Sequence, residues 1–171
     1  ATCTVKIPLH RSPVPFETRP LTSPSNTGEE PGLEANPQCL SGLNVLVVDD
    51  TDDSRQLIRH ILEACGASVC EASTAGQAFS LVSQNPNAVD LIISDIGMPE
   101  EDGMSLIRRI RAFEGECVPE ERLPAIALTA YARLEEIKEA LTAGFQVHLP
   151  KPVTPRRLIE CLFQLSGRSL N

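Results

Sequence analysis

The sequence lacks any apolar run that approaches the roughly 20 residues needed to cross a bilayer, and it has no basic-then-apolar signal segment. It is also poor in basic residues: 15 Lys and Arg stand against 23 Asp and Glu, which gives a net charge of −8. A nucleic-acid-binding surface needs clustered Lys and Arg to neutralise phosphates. We therefore expect no nucleic-acid partner and no membrane contact in this segment.

The sequence also lacks a C-x-x-C pair, although it contains 6 cysteines. Zinc sites and disulfide frameworks usually show cysteines at close, regular spacings, so neither is expected. Disulfides are rare in cytoplasmic proteins. We interpret the scattered thiols as reduced and the protein as cytoplasmic.

Half of the 14 prolines lie in the first 40 residues. Residues 10–41 carry few large apolar side chains, too few to offset the entropy that is lost on ordering. This composition predicts an extended or disordered linker over residues 10–41. Residues 1–9 alternate as a strand does. We place one domain at residues 42–167 and a short tail at residues 168–171.

Strand-like and helix-like patterns alternate five times from Leu43 onward. Strand-like runs, most of them apolar and β-branched, occupy residues 43–48, 68–72, 89–94, 125–128 and 146–149, with helical spacing of apolar residues between them. Such runs are typical of strands buried on both faces of a parallel sheet. The sequence predicts an α/β fold with a doubly wound, five-stranded parallel sheet.

Polar residues stand where four of these runs end. Asp49 and Asp50 follow the first run, Asp95 the third, Thr129 the fourth and Lys151 the fifth. The carboxyl ends of strands in a doubly wound sheet face one crevice, so three carboxylates and one ammonium should meet there. Carboxylates at close range repel each other unless a cation intervenes. Oxygen ligands of this kind predict Mg²⁺, with Mn²⁺ as an alternative.

This set of groups predicts phosphoryl chemistry. A carboxylate that accepts a phosphoryl group needs a metal to neutralise the transferring group and a positioned cation on the other side. Asp95 is the predicted acceptor, and Asp49 and Asp50 are the predicted metal ligands. Lys151 and the Thr129 hydroxyl are predicted to bind the phosphoryl oxygens.

Five motifs in order carry a resemblance: Val-Val-Asp49-Asp50, Ser-Asp95-Ile-Gly-Met-Pro99, Asp102-Gly103, Ala-Leu-Thr129-Ala and Lys151-Pro152. With them, residues 43–166 resemble the receiver domain of response regulators in two-component signalling. The resemblance implies a flavodoxin-like sheet with strand order 2-1-3-4-5. It also implies transfer of a phosphoryl group from a kinase histidine to Asp95.

The resemblance further implies the roles of individual residues. The Asp95 carboxylate and the backbone carbonyl of Gly97 join Asp49 and Asp50 as metal ligands. Thr129 is a switch hydroxyl, and the Lys151-Pro152 peptide bond is cis. His148 stands where the family has a rotating aromatic side chain, so titration of its imidazole would make the switch depend on pH. Gly97 and Tyr131 stand where side chains control the access of water to the phosphoryl group. With glycine at one position and a bulky ring at the other, we expect slow self-dephosphorylation.

Residues 1–9 carry a second resemblance, because Ala-Thr-Cys-Thr-Val-Lys-Ile-Pro-Leu is similar to the closing strand of the ATP-binding domain of sensor histidine kinases. Together with a linker and a receiver, this order implies the carboxyl end of a hybrid sensor kinase. The sequence contains no phosphorylatable-histidine box and no ATP-binding glycine motif. The implied partners are a histidine kinase donor, in cis or in trans, and a histidine phosphotransfer protein.

Two other functions stay open at this point. One is a Mg²⁺-dependent phosphatase that works through an aspartyl phosphate, as haloacid-dehalogenase-like hydrolases do, although their second acid lies two residues after the nucleophile and here the acids are adjacent. The other is a degenerate receiver that serves only as a binding platform. Loss of the acceptor, an acid or the lysine would indicate the latter, and all of them are present.

Overall fold

The computed structural model describes residues 38–115, 122–130 and 133–166. They all belong to one unit, Leu33–Asn171. The predicted closing strand at residues 1–9, most of the predicted linker, the tail at 168–171 and Tyr131 lie outside the described residues. Among those that are described, no helix is long and apolar enough to span a membrane.

Five strands and five helices alternate along the described part of the chain, as the sequence predicts. They are β1 (Asn44–Val48), α1 (Asp52–Ala64), β2 (Ser68–Ala72), α2 (Ala75–Gln84), β3 (Leu91–Asp95), α3 (Gly103–Glu114), β4 (Ala125–Thr129), α4 (Leu134–Ala143), β5 (Val147–Pro150) and α5 (Pro155–Ser166). The strands form one parallel sheet in the order β2-β1-β3-β4-β5. The predicted fold class and strand order are therefore confirmed.

The sheet is buried on both faces because its central strands are apolar on both sides. Every residue of β3 and β4 is buried. On one face, Val45 and Val47 of β1 pack with α1 and α5. On the other, Leu46 and Val48 pack with buried residues of α2, α3 and α4. Since adjacent residues of a strand point to opposite faces, continuous apolar runs are what this two-sided burial requires.

Arg111 of α3 links the segments that precede β4 and follow α4. Its guanidinium donates to the carbonyl of Leu123, just before β4, and to the carbonyl of Gly144, just after α4, both at 2.8 Å. It also pairs with Glu114 at 2.8 Å. Gly144 has a φ of +122°, in the region that favours glycine, and a Cβ there would lie 2.9 Å from Arg111 Cγ. The close packing of Arg111 thus fixes where α4 ends and β5 begins.

Leu40 extends the core ahead of β1. It falls in the stretch that the sequence assigns to the linker, yet its side chain is fully buried and packs in the same cluster as α1 and α5. Its amide donates to the carbonyl of Cys65 at 2.8 Å. The packed part of the chain therefore begins at or before Leu40.

We predict that Leu40→Ala lowers the free energy of unfolding by about 2–5 kcal/mol, because it removes a buried side chain and leaves a cavity. Leu57→Ala is the matched control, since Leu57 is 54% exposed on α1; its effect should stay within about 0.5 kcal/mol. Urea unfolding followed by far-UV circular dichroism measures both. Equal stability of Leu40→Ala and the parent would show that Leu40 is dispensable for the domain.

Candidate functional site

The carboxyl ends of four strands bring the predicted site residues together. In the parallel register Val48 pairs with Ser94, and Asp95 pairs with Leu128. Thr129 in turn pairs with Pro150. The residues that end these strands, or follow them by one or two positions, therefore lie along one edge of the sheet.

Three carboxylates form a cluster at this edge. Asp49 is fully buried, Asp95 is 7% exposed, and Asp50 is exposed. One carboxylate oxygen from each lies within 4.8 Å of the others. A group of this size and chemistry is suited to a hard divalent cation.

Lys151 joins two of these carboxylates. Its Nζ lies 2.8 Å from Asp49 Oδ2 and 3.0 Å from Asp95 Oδ2. Burial by itself lowers the pKa of Lys151, but hydrogen bonds and charge attraction from Asp49 and Asp95 outweigh it and raise the pKa above its usual value. The ammonium is therefore charged at neutral pH. The other oxygen of Asp49, Oδ1, accepts a hydrogen bond from the Thr51 amide at 2.8 Å.

Thr129 contributes a buried hydroxyl at the end of β4. Its side chain is 3% exposed, and Oγ1 has no hydrogen-bond partner in the described part of the chain. Its backbone carbonyl accepts from the Lys151 amide at 2.8 Å. A buried hydroxyl without a partner is costly, so this group is available to bind a ligand oxygen.

The loop between β3 and α3 holds Asp95 by close backbone packing. A Cβ on Gly103 would collide with the Asp95 carbonyl oxygen and lie 3.0 Å from Ser94 Oγ. Asp102 caps α3, with Oδ1 accepting from the Ser105 amide at 2.6 Å. The sequence contains the Asp102-Gly103 pair, but its packing role was not predicted. A helix-capping acid followed by glycine was the available signal.

Gly97 lies in the same loop and is exposed. A Cβ built on it would lie 3.9 Å from Asp95 Oδ2, which is an ordinary van der Waals contact. A side chain at this position therefore fits next to the Asp95 carboxylate.

Arg55 is a residue of the site that the sequence analysis missed. Its Nη1 donates to the backbone carbonyl of Asp49 at 2.7 Å, and its Nη2 donates to Asp52 Oδ1 at 2.7 Å. The spacing of Asp52 and Arg55 on one helix indicates an ion pair, but it gives no sign of the bond to the Asp49 carbonyl.

The other predicted residues are less directly connected. His148 lies on β5 opposite Ala127, is half-buried, and makes no hydrogen bond or ion pair within the described part of the site. Burial lowers the pKa of His148, so its imidazole is neutral at pH 7. The Lys151–Pro152 peptide bond is cis. Tyr131 lies outside the described residues.

The sequence of the domain that carries this site is similar to those of known proteins. The family model of the response regulator receiver domain matches residues 45–163. An uncharacterized 14.6 kDa protein of Leptolyngbya boryana is 46% identical over 127 residues, which cover 74% of this chain and 92% of that protein. The sensor protein GacS of Pseudomonas syringae pv. syringae is 35% identical over 126 residues, 74% of this chain but only 14% of GacS.

A solved structure shows the same fold. It is the receiver domain of the histidine kinase CKI1 from Arabidopsis thaliana, complexed with Mg²⁺ and BeF₃⁻, and it aligns with a TM-score of 0.68 and 27% identity over 77% of this chain and 95% of that one. Three observations point to the same family: the strand order, the acids at the ends of β1 and β3, and the match of the family model over residues 45–163. The chain belongs to the family of response regulator receiver domains of two-component signalling.

Proposed function

We propose that this receiver domain accepts a phosphoryl group on the Asp95 carboxylate from a phosphohistidine donor. The observation that carries the proposal is the convergence of Asp49, Asp50, Asp95 and Lys151 at one edge of the sheet. Asp95 is the natural acceptor, because it lies between the acids that follow β1 and the ammonium that follows β5.

We infer that the acid cluster holds Mg²⁺, with Mn²⁺ as an alternative. The donor set fits, because Mg²⁺ binds carboxylate oxygens and keeps several of its waters. Both oxygens of Asp49 already accept hydrogen bonds, from Thr51 and Lys151, whereas Asp50 is exposed. Asp50 would therefore bind directly and Asp49 through water, and the Gly97 carbonyl would complete the protein ligands with Asp95. When bound, the ion would neutralise charge on the transferring phosphoryl group.

The chain's own groups perform the transfer. An Asp95 carboxylate oxygen attacks the phosphorus, the phosphorus–nitrogen bond of the phosphohistidine breaks, and the released imidazole takes up a proton. Lys151 exchanges part of its contact with Asp95 for the phosphoryl oxygens, as a mobile point charge can. The Thr129 hydroxyl, buried and without a described partner, donates to a phosphoryl oxygen.

Movement of Thr129 toward the phosphoryl group would alter the surface that follows β4. Leu134 and Leu141 of α4 are 74% and 42% exposed, and exposed apolar residues of this kind are suited to partner contact. We propose the segment of residues 131–141, with His148, as the surface that switches its partner binding. The pH dependence expected of His148 stays a prediction.

The proposed donor is a histidine kinase, in cis or in trans, and a histidine phosphotransfer protein is the proposed onward partner. GacS, of which the match covers 14%, is named a sensor protein, and CKI1 is named a histidine kinase. Both names support a hybrid sensor kinase as the full-length protein. From the sequence resemblance alone, we propose residues 1–9 as the closing strand of its ATP-binding domain. Such a donor is phosphorylated from ATP, which favours the cytoplasm.

We predict that Mg²⁺ and acetyl phosphate label the unmutated 171-residue chain stoichiometrically. The Asp95→Asn variant should not be labelled, because the attacking carboxylate is lost. The label should be stable in acid, labile in base and absent when the metal is chelated. Mass spectrometry of the intact protein measures the yield. Asp53→Asn is the matched control, since Asp53 is an exposed acid near the site on α1, and it should label like the parent.

Three results would contradict this assignment. Labelling of Asp95→Asn at another carboxylate with similar yield would show that Asp95 is not the acceptor. Sustained turnover of acetyl phosphate without labelled protein would indicate the phosphatase, and absence of labelling in the parent would indicate a binding platform.

We also predict a long lifetime for the phosphoryl group. Hydrolysis needs a water aligned opposite the leaving oxygen, and polar side chains near the acceptor can hold it. Gly97 has no side chain to do so, although a Cβ there would lie 3.9 Å from Asp95 Oδ2. Installing Gly97→Asn together with Tyr131→Glu should shorten the lifetime, measured by decay of the labelled protein after the donor is removed.

The control for this experiment is Gly97→Ala, which adds a Cβ but no group that holds water, and which should decay at the parent rate. A double variant that decays at the parent rate or more slowly would show that water access is controlled by other residues.

A further inference from the structure

The Arg55 side chain spans the turn between β1 and α1. Its Nη1 donates to the Asp49 carbonyl and its Nη2 to Asp52 Oδ1, both at 2.7 Å. Its Nε lies 3.9 Å from Glu71 Oε1 on β2, and only 13% of the side chain is exposed. The planar guanidinium is thus held at three points, one on each of β2, α1 and the turn.

The Asp49 carbonyl belongs to the peptide unit that joins the two adjacent acids. β1 ends at Val48 and α1 begins at Asp52, so this carbonyl lies outside both regular elements, and Arg55 donates to it. A peptide unit is planar. Fixing its oxygen therefore fixes the direction in which the chain leaves the buried Asp49 toward the exposed Asp50.

We propose that Arg55 is a positioning residue for the metal site. By holding the peptide between Asp49 and Asp50, it keeps the Asp50 carboxylate in the cluster with Asp49 and Asp95. This inference rests on the Mg²⁺ site proposed above. Arg55 contacts the site through the backbone carbonyl of Asp49 rather than through a carboxylate oxygen of the cluster.

A positioning role and a purely electrostatic role of Arg55 predict opposite changes in Mg²⁺ affinity when the side chain is removed. The guanidinium is a cation near the acid cluster, so its charge alone opposes the binding of a second cation. Removing a mere charge would strengthen Mg²⁺ binding. Removing a positioning contact would weaken it, since residues that orient metal ligands typically contribute 10–100-fold to affinity.

The test is a calorimetric titration of the 171-residue chain with Mg²⁺, comparing the parent with Arg55→Gln, Arg55→Lys and Arg59→Gln. Arg59 is the matched control, because it lies on the same helix and pairs with Glu63 and Glu71 at 2.8 and 2.9 Å. Arg55→Gln should weaken Mg²⁺ binding about tenfold. The Mg²⁺ affinity of Arg59→Gln should stay within about twofold of the unmutated value, because an exposed charge is screened. The Mg²⁺ affinity of Arg55→Lys should fall between those of the other two variants. A lysine ammonium can reach the Asp49 carbonyl but lacks the planar set of donors with which the guanidinium contacts that carbonyl and Asp52 together.

Thermal unfolding of each variant without Mg²⁺ separates positioning from a general loss of structure. Arg55→Gln that is folded and binds Mg²⁺ as tightly as the parent, or more tightly, would overturn the inference. If Arg55→Gln does not fold, Arg55→Lys decides, and parent-like affinity in that variant overturns it. If the unmutated 171-residue chain binds no Mg²⁺, the proposed metal site is wrong, and this inference with it.

Discussion

The contact of one lysine with two buried carboxylates is the interaction on which the site depends. Asp49 is fully buried and Asp95 nearly so, and isolated buried charges carry a large desolvation cost. Lys151 lies within 3.0 Å of both and offsets that cost. Its amide is in turn hydrogen-bonded to the end of β4. The ends of β1, β3, β4 and β5 are thereby linked through one side chain and its backbone.

The same arrangement explains how the domain presents its reactive groups at one edge of the sheet. The parallel sheet places the strand ends along one edge, and the short turns that follow them carry the acids. Close backbone packing at Gly103 fixes the loop after Asp95. The Thr129 hydroxyl is buried beside these groups and has no hydrogen-bond partner among the described residues, so it can donate to a ligand oxygen.

Much of the fold and of the site was predictable, because the residues that determine them form continuous apolar runs or stand at the ends of strands. Continuous apolar runs identified β1, β3 and β4, since strands buried on both faces require them. Once parallel strands were inferred, polar residues at their ends had to meet, and Asp49, Asp95 and Lys151 do. The residue types then indicated the chemistry.

What was not predictable depends on side-chain direction and tertiary packing. The bond from Arg55 to the Asp49 carbonyl leaves no periodic trace in the sequence. Leu40 is separated from the first apolar run by Ser41 and Gly42 and follows a proline-rich stretch, so its burial depends on tertiary packing against α1 and α5. The clash that restricts Gly103 involves a backbone oxygen eight residues away. The arrangement of Tyr131 stays a prediction.

The most direct test of this account is the stability of Lys151→Met with and without Mg²⁺. Without the metal, the variant leaves two buried carboxylates uncompensated, so its free energy of unfolding should fall by about 3 kcal/mol. Mg²⁺ should restore much of this loss, because a bound cation replaces the missing charge. Urea unfolding in chelator and in excess Mg²⁺ measures the difference. A variant as stable as the parent in chelator would contradict the account, and so would equal stabilisation of both proteins by Mg²⁺.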